Sequence, residues 1–312
     1  MDAMRRLGIG LAALGRPAYI NIGRAEELPL SRTVRELRDA TWSVLDAAYA
    51  RGVRWVDTAR SYGRAEDFLG GWLIARAPVQ VTVSSKWGYT YVGDWKMDAD
   101  VHEVKEHSLD RFQAQYGETR TVLGEHLSVY QVHSLTEESP FFQDVPLQAA
   151  LAQISSEGVR VGFSTSGPRQ AETIRRAMAL KVSGQRLFST VQSTWNVLET
   201  SAEPALREAH DAGLHVILKE VLANGKLALR PPMDVRRVAF RNHVKPDALA
   251  LAAALSRPWA DTVLIGAVSP SQLEANLKAT EVSLDDEDLT LLAGVKVASE
   301  RYWAERGALP WT

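Results

Sequence analysis

The sequence predicts an α/β fold, a (β/α)8 or TIM barrel forming one domain over residues 1–312, with an extra C-terminal helix and tail. Three observations predict it. Eight short apolar or β-branched runs recur along the chain, a helical stretch follows each, and no linker, charge block or low-complexity segment interrupts the alternation. Eight such units exceed what an open doubly wound sheet needs in 312 residues, whereas a closed barrel uses them all.

The expected strands are 6–13, 53–57, 79–85, 127–132, 159–163, 187–192, 215–219 and 262–265. The first follows Met1-Asp2-Ala3-Met4-Arg5-Arg6, which imitates the charged head of a signal peptide. Its apolar stretch is short, is broken by Gly8 and Gly10, and leads to Arg16-Pro17 without a small-x-small cleavage site, so it reads as a strand. Gly8-Ile9-Gly10 lacks the third glycine and helix start of a dinucleotide fingerprint. A helix over 33–51 places Val34, Leu37, Thr41, Leu45 and Ala48 on one face, and Gly52 closes it. The widest gap between strands, 87–126, holds a long loop and one helix. In it His102 and His107 are five apart rather than four, so His102-Glu103-Val104-Lys105-Glu106-His107 reads as a solvated helix face and not a zinc site. Trp87, Tyr89, Tyr91 and Trp95 in this gap either line an apolar pocket or pack the loop. Pro168 opens a helix to 180, and Ser269-Pro270 opens one over 271–280. The acidic run 285–288 starts a last helix reaching 306, as the helix macrodipole favours. Trp303 and Trp311 then either close over the barrel mouth or bury against its side.

Composition narrows the partners. With 36 basic and 38 acidic residues the formal charge is −2, which carries no electrostatic footprint for nucleic acid or an anionic membrane. The absence of cysteine excludes disulfides, thiolate metal sites and a thiol nucleophile. No run approaches the roughly 20 apolar residues of a membrane span. A cytoplasmic protein acting on small molecules, with no metal, is expected; oligomeric state is not written in the sequence.

In a barrel the chemistry sits where strands end, which selects Asp57, Lys86, His133 and Lys219. Singly, such residues are usually ion pairs or helix caps. Together, the ends of strands two, three and four must converge, and Tyr62 follows Asp57 by five residues. A lysine ammonium beside the phenol is expected to favour phenolate and bring its pKa down from about 10, with Asp57 holding the lysine charged. His133 is placed to hydrogen-bond a substrate carbonyl. None of the four supplies electrons, which a nicotinamide cofactor would.

The stretch Asp57-Thr58-Ala59-Arg60-Ser61-Tyr62-Gly63-Arg64-Ala65-Glu66-Asp67-Phe68-Leu69-Gly70 resembles the D-T-A-x-x-Y-G-x-x-E-x-x-L-G signature of aldo-keto reductases. Ser84-Ser85-Lys86, Tyr130-Gln131-Val132-His133, Gly162-Phe163-Ser164-Thr165 and Val191-Gln192-Ser193-Thr194-Trp195-Asn196 are similar to the family's third to sixth strand ends. The resemblance implies reversible reduction of an aldehyde or ketone, including a sugar, with Tyr62 as general acid, Asp57 and Lys86 tuning it, and His133 orienting the carbonyl. It implies NADP(H) or NAD(H) held by Ser164, Thr165, Gln192, Lys219, Leu222, Gly266, Ser269, Gln272 and Asn276, and a substrate pocket using Trp87, Tyr89 and Trp195. Thr165 stands where the family usually has asparagine, Lys219 where an aromatic ring stacks on the nicotinamide, and Gly266 and Gln272 where many members oppose Lys and Arg to a 2′-phosphate. Lys219 is then a candidate for the pyrophosphate. Two other readings stay open: a cofactor-sensing barrel with little turnover, and a Schiff-base aldolase using Lys86.

Overall fold

The computed structural model describes residues 3–23 and 27–312. Eight strands form the barrel: β1 Leu7–Gly10, β2 Trp55–Asp57, β3 Thr82–Trp87, β4 Leu127–Leu135, β5 Arg160–Thr165, β6 Thr190–Thr194, β7 His215–Lys219 and β8 Thr262–Ile265. Each pairs in parallel with its neighbour in the chain, and β8 closes on β1 through Leu7 opposite Val263. The main core lies between this barrel and the surrounding helices, while Trp55, Val129, Ile217 and Leu264 fill the barrel interior. Trp55 stacks on His215 there, ring centroids 4.7 Å apart.

The strand bounds depart from the sequence reading in ways that matter for the site. β1 stops at Gly10, because the Leu11 carbonyl accepts from the N–H groups of Leu14 and Gly15 in a turn. β3 and β4 run on past their expected ends, so Lys86 and His133 lie within strands rather than after them. β6 begins three residues later than expected. The first helix, Val34–Ala50, carries a capping box in which Thr33 and Glu36 satisfy each other's backbone N–H. The final helix is two, Asp286–Ala293 and Ser299–Gly307.

Between β3 and β4 the helix Leu109–Leu123 forms as expected, but Glu103–Lys105 pairs antiparallel with Tyr89–Tyr91. The segment around His102 and His107 is therefore not a solvated helix face. Alternation across Glu103-Val104-Lys105, opposite two tyrosines, favours the ladder, and both histidines are buried. This hairpin, the segment 15–23 and the C-terminal tail surround the barrel mouth. Tyr19 and Thr312 exchange two backbone hydrogen bonds of 3.1 Å, which lays Trp311 over His102 with ring centroids 4.2 Å apart. Trp303 instead packs edge-on against Tyr302. Among the described residues, no helix is long and apolar enough to cross a membrane.

Candidate active site

A cavity of about 310 Å³ opens at the C-terminal end of the barrel. Strand parity decides which side chains reach it. Successive residues face opposite sides, so Gln131 and His133 share the inward face of Val129 on β4. By the same count Asp57 on β2, Ser84 and Lys86 on β3, Gln192 and Thr194 on β6, and Lys219 on β7 also face inward.

The floor is a buried polar cluster centred on Asp57. One carboxylate oxygen accepts from Ser84 Oγ at 2.7 Å, Gln192 Nε2 at 2.9 Å and Gln131 Nε2 at 3.4 Å. The other takes the Lys86 ammonium in a short ion pair. Lys86 Nζ also donates to the Thr58 carbonyl at 2.9 Å and to the Tyr62 hydroxyl at 3.4 Å, so its three hydrogens have three acceptors. Tyr62 reaches this cluster from the loop after β2, where Gly63 adopts φ +60° against Gly15; a Cβ at Gly63 would meet the Gly15 carbonyl oxygen at 2.5 Å. The Tyr62 and His133 rings meet edge to face, 5.5 Å apart.

The electrostatics correct one expectation. Tyr62 is pushed well above the usual tyrosine range, by burial first and then by Asp57 and Glu103, while Arg16 pulls the other way. The ammonium beside it is spent on Asp57, so the resting phenol keeps its proton. His133 is held well below its ordinary value, by burial and then by Lys86, Lys219 and Arg16, and is neutral. At β7, burial alone would raise Glu220, but Lys219 and Arg306 bring it down to about 2. Lys219 donates to Thr194 Oγ1 at 2.9 Å and lies 3.7 Å from Glu220, which Arg306 also grips.

His107 enters the site unannounced by any motif. It bonds the His133 carbonyl through Nε2 at 2.9 Å and Ser139 Oγ through Nδ1 at 2.7 Å. Ser134, next to His133, sits at φ +53°. Its N–H donates to Ser164 Oγ at 2.8 Å and its carbonyl accepts from Lys105 Nζ at 2.7 Å. Two side chains thus fix the peptide that follows His133 and a third holds the next carbonyl; one of the two is Ser164, expected instead at the carboxamide.

The remaining expected contacts divide. Tyr89, Gln192, Lys219, Leu222, Gly266, Gln272 and Asn276 line the cavity. Thr165, Trp87 and Trp195 do not, because each is one residue beyond an inward-facing side chain. Thr165 bonds Ser193 Oγ at 2.8 Å behind the sheet, Trp87 packs on His107 and Phe112, and Trp195 donates to Glu203 at 3.1 Å. Ser269 lies outside the wall as the cap of the helix Pro270–Leu277, accepting from Gln272 N at 3.1 Å. Among the described residues, no cluster of three or more histidines and carboxylates is placed to hold a metal ion.

A closed parallel barrel with a buried polar cluster at its C-terminal mouth has the architecture of a barrel enzyme. Residues 6–296 match the Aldo/keto reductase family, and the chain belongs to that family, which makes it an oxidoreductase. It is 25% identical over 286 residues to the uncharacterized oxidoreductase YrpG of Bacillus subtilis (strain 168), covering 80% of this chain and 84% of that one. To aldo-keto reductase str7 of Strobilurus tenacellus it is 23% identical, covering 97% and 88%. The solved holo form of aldo-keto reductase AKR11C1 from Bacillus halodurans shares its fold, with a TM-score of 0.67 at 21% identity over 96% of this chain and 95% of that one.

Proposed function

We propose that the protein reversibly reduces an aldehyde or ketone to an alcohol with NAD(H) or NADP(H), Tyr62 acting as the general acid. The observation that carries this reading is the Tyr62 hydroxyl 3.4 Å from an ammonium locked on Asp57, beside a neutral histidine on one cavity floor. The residues present fit a dinucleotide. At Gly266 an added Cβ meets nothing within 4 Å, which leaves an open cradle, and Gln192, Leu222, Gln272 and Asn276 offer amides and an apolar surface along the same wall. When bound, the cofactor supplies a hydride to the carbonyl carbon.

The chain's own part is to bind and orient the carbonyl and to move one proton. His133, neutral and fixed by His107, donates to the carbonyl oxygen, and Tyr62 gives that oxygen its proton as negative charge develops on it. The phenolate left behind is then stabilised by Lys86, whose charge Asp57 secures. A high resting pKa keeps the acid loaded before the reaction. With all three Lys86 hydrogens bonded, no lone pair is free to attack a carbonyl, which disfavours the aldolase reading. The substrate end presents the Tyr89 and Trp311 rings beside the Arg16–Glu103 ion pair at 2.9 Å, which suits carbonyl compounds with both apolar and hydroxylated parts.

Titrating the protein with NADH and NADPH while following tryptophan quenching, then assaying a panel of aldehydes, ketones and aldoses, tests the proposal. Tyr62→Phe should lower kcat by about 10²–10⁴-fold with cofactor affinity retained. Full activity in that variant would remove Tyr62 from its role, and tight binding with no turnover on any carbonyl would favour the sensor.

A further inference from the structure

We infer that the nucleotide arm of the cavity selects the dinucleotide without a 2′-phosphate, NAD(H) over NADP(H), and that Asp247 makes the choice. The inference rests on the oxidoreductase reading above. Proton transfer at Tyr62 and His133 requires the nicotinamide end at the cavity floor. The wall after β8, with Gly266, Val268, Gln272 and Asn276, is what remains for the adenosine end. Phosphate groups in such barrels gather at the loops after strands seven and eight and the helix that follows.

The charged groups in this arm have the wrong sign for an additional phosphate. Asp247, in the first turn of the helix Pro246–Leu255, lines the cavity. One of its oxygens accepts from Asn276 Nδ2 at 2.9 Å and the other from the Ala248 N–H at 2.9 Å, so the carboxylate is held in place. Glu27, exposed and outside the cavity lining, accepts from the Ser269 hydroxyl at 2.8 Å at the cap of the helix Pro270–Leu277. Val268, in the lining, is apolar and buried, and its N–H is already bonded to Gln272 Oε1 at 2.9 Å. Among the described residues that line the cavity, the arginines and lysines are Arg16, Lys219 and Arg306, and each is ion-paired near the floor with Glu103 or Glu220.

A ribose hydroxyl donates to a fixed carboxylate. A phosphate in its place carries roughly −1.5 to −2 charge at pH 7, and its dianion has no proton to donate, so beside Asp247 it loses a hydrogen bond and meets repulsion. An acidic residue on the ribose hydroxyl is the same device that marks NAD sites in other dinucleotide folds.

Quenching titrations of the full chain should give NADH a Kd at least about tenfold below that of NADPH, with the gap shrinking as salt is raised. The variant Asp247→Asn should tighten NADPH and bring the two within a few-fold, and Val268→Arg should tighten NADPH on its own. Equal or tighter NADPH binding by the unaltered chain would overturn this inference and leave the oxidoreductase reading standing. An NADH preference that Asp247→Asn leaves unchanged would overturn the assignment to this carboxylate. Binding of neither dinucleotide would overturn the oxidoreductase reading and this inference with it.

Discussion

Asp57 and Asp247 line one cavity from opposite ends, and the protein treats them differently. Asp57 is 2% exposed and gathers four side-chain donors, one of them a buried ammonium. Asp247 is half-buried, and its partners are one amide side chain and the next residue's N–H. At the floor, the groups hold one another before any ligand arrives, so geometry is fixed and charge is balanced. In the nucleotide arm the groups are held locally and left electrostatically unbalanced, so the ligand is chosen by sign of charge. Preorganisation and selection are thus assigned to different ends of one pocket.

The largest expected effect breaks the floor. Asp57→Asn leaves Lys86 buried without its counter-ion, and removing one partner of such a pair costs about 3–5 kcal/mol. Urea unfolding should register that loss as a lower midpoint with unchanged slope. A variant within about 1 kcal/mol of the unaltered chain would mean that the floor is no more coupled than the nucleotide arm.

Next in size is an effect of pH on the strand that carries His133. His107 is brought down from 6.5 to about 4, by burial first and by Lys105 second. A histidine whose folded pKa lies below its unfolded value contributes stability that is fully present above the unfolded value and is lost as pH falls through the folded one. The window is therefore pH 6.5 down to 4, and the loss is on the order of 3 kcal/mol from this group. His107→Gln, which keeps a donor near the Nε2 position, should flatten that window and retain most of kcat. His107→Ala frees the His133 carbonyl and should lower kcat by about ten- to a hundredfold at little change in KM. Equal losses in the two variants would reduce His107 to a packing role.

What the sequence made legible follows the same division. Asp57, Lys86 and His133 lie at the ends of short apolar runs, and strand order alone brings those ends together. Asp57, Lys86 and His133 could be placed without knowing any loop. Trp87, Thr165 and Trp195 were misplaced by proximity to the right positions, although period two already excludes them once Lys86, Ser164 and Gln192 face inward. The sequence carried that signal unused. His107 and the Glu103–Lys105 strand were hidden for another reason: their segment's charges mimic a helix face, and only the pairing with Tyr89–Tyr91, a tertiary event, makes it a strand. Asp247 reaches the nucleotide arm from the helix before β8 and is bonded there to Asn276 from the helix after it. No local pattern marks Asp247.

The smallest expected effect lies in that arm and sharpens the comparison most. Asp247→Asn keeps an oxygen to accept the Ala248 N–H, and the Asn276 amide can rotate to present its own oxygen to the new side chain. What is lost is one negative charge in the first turn of a helix, worth about 0.3–1 kcal/mol at an exposed site. Unfolding free energy should therefore fall by less than about 1 kcal/mol, while the preference between the two dinucleotides moves measurably in the same protein. The floor variant shows the opposite pattern, a large loss of stability with no expected change in that preference. If Asp247→Asn instead cost as much as Asp57→Asn, the nucleotide arm would be as tightly coupled as the floor, and the division of labour between the two ends would fail.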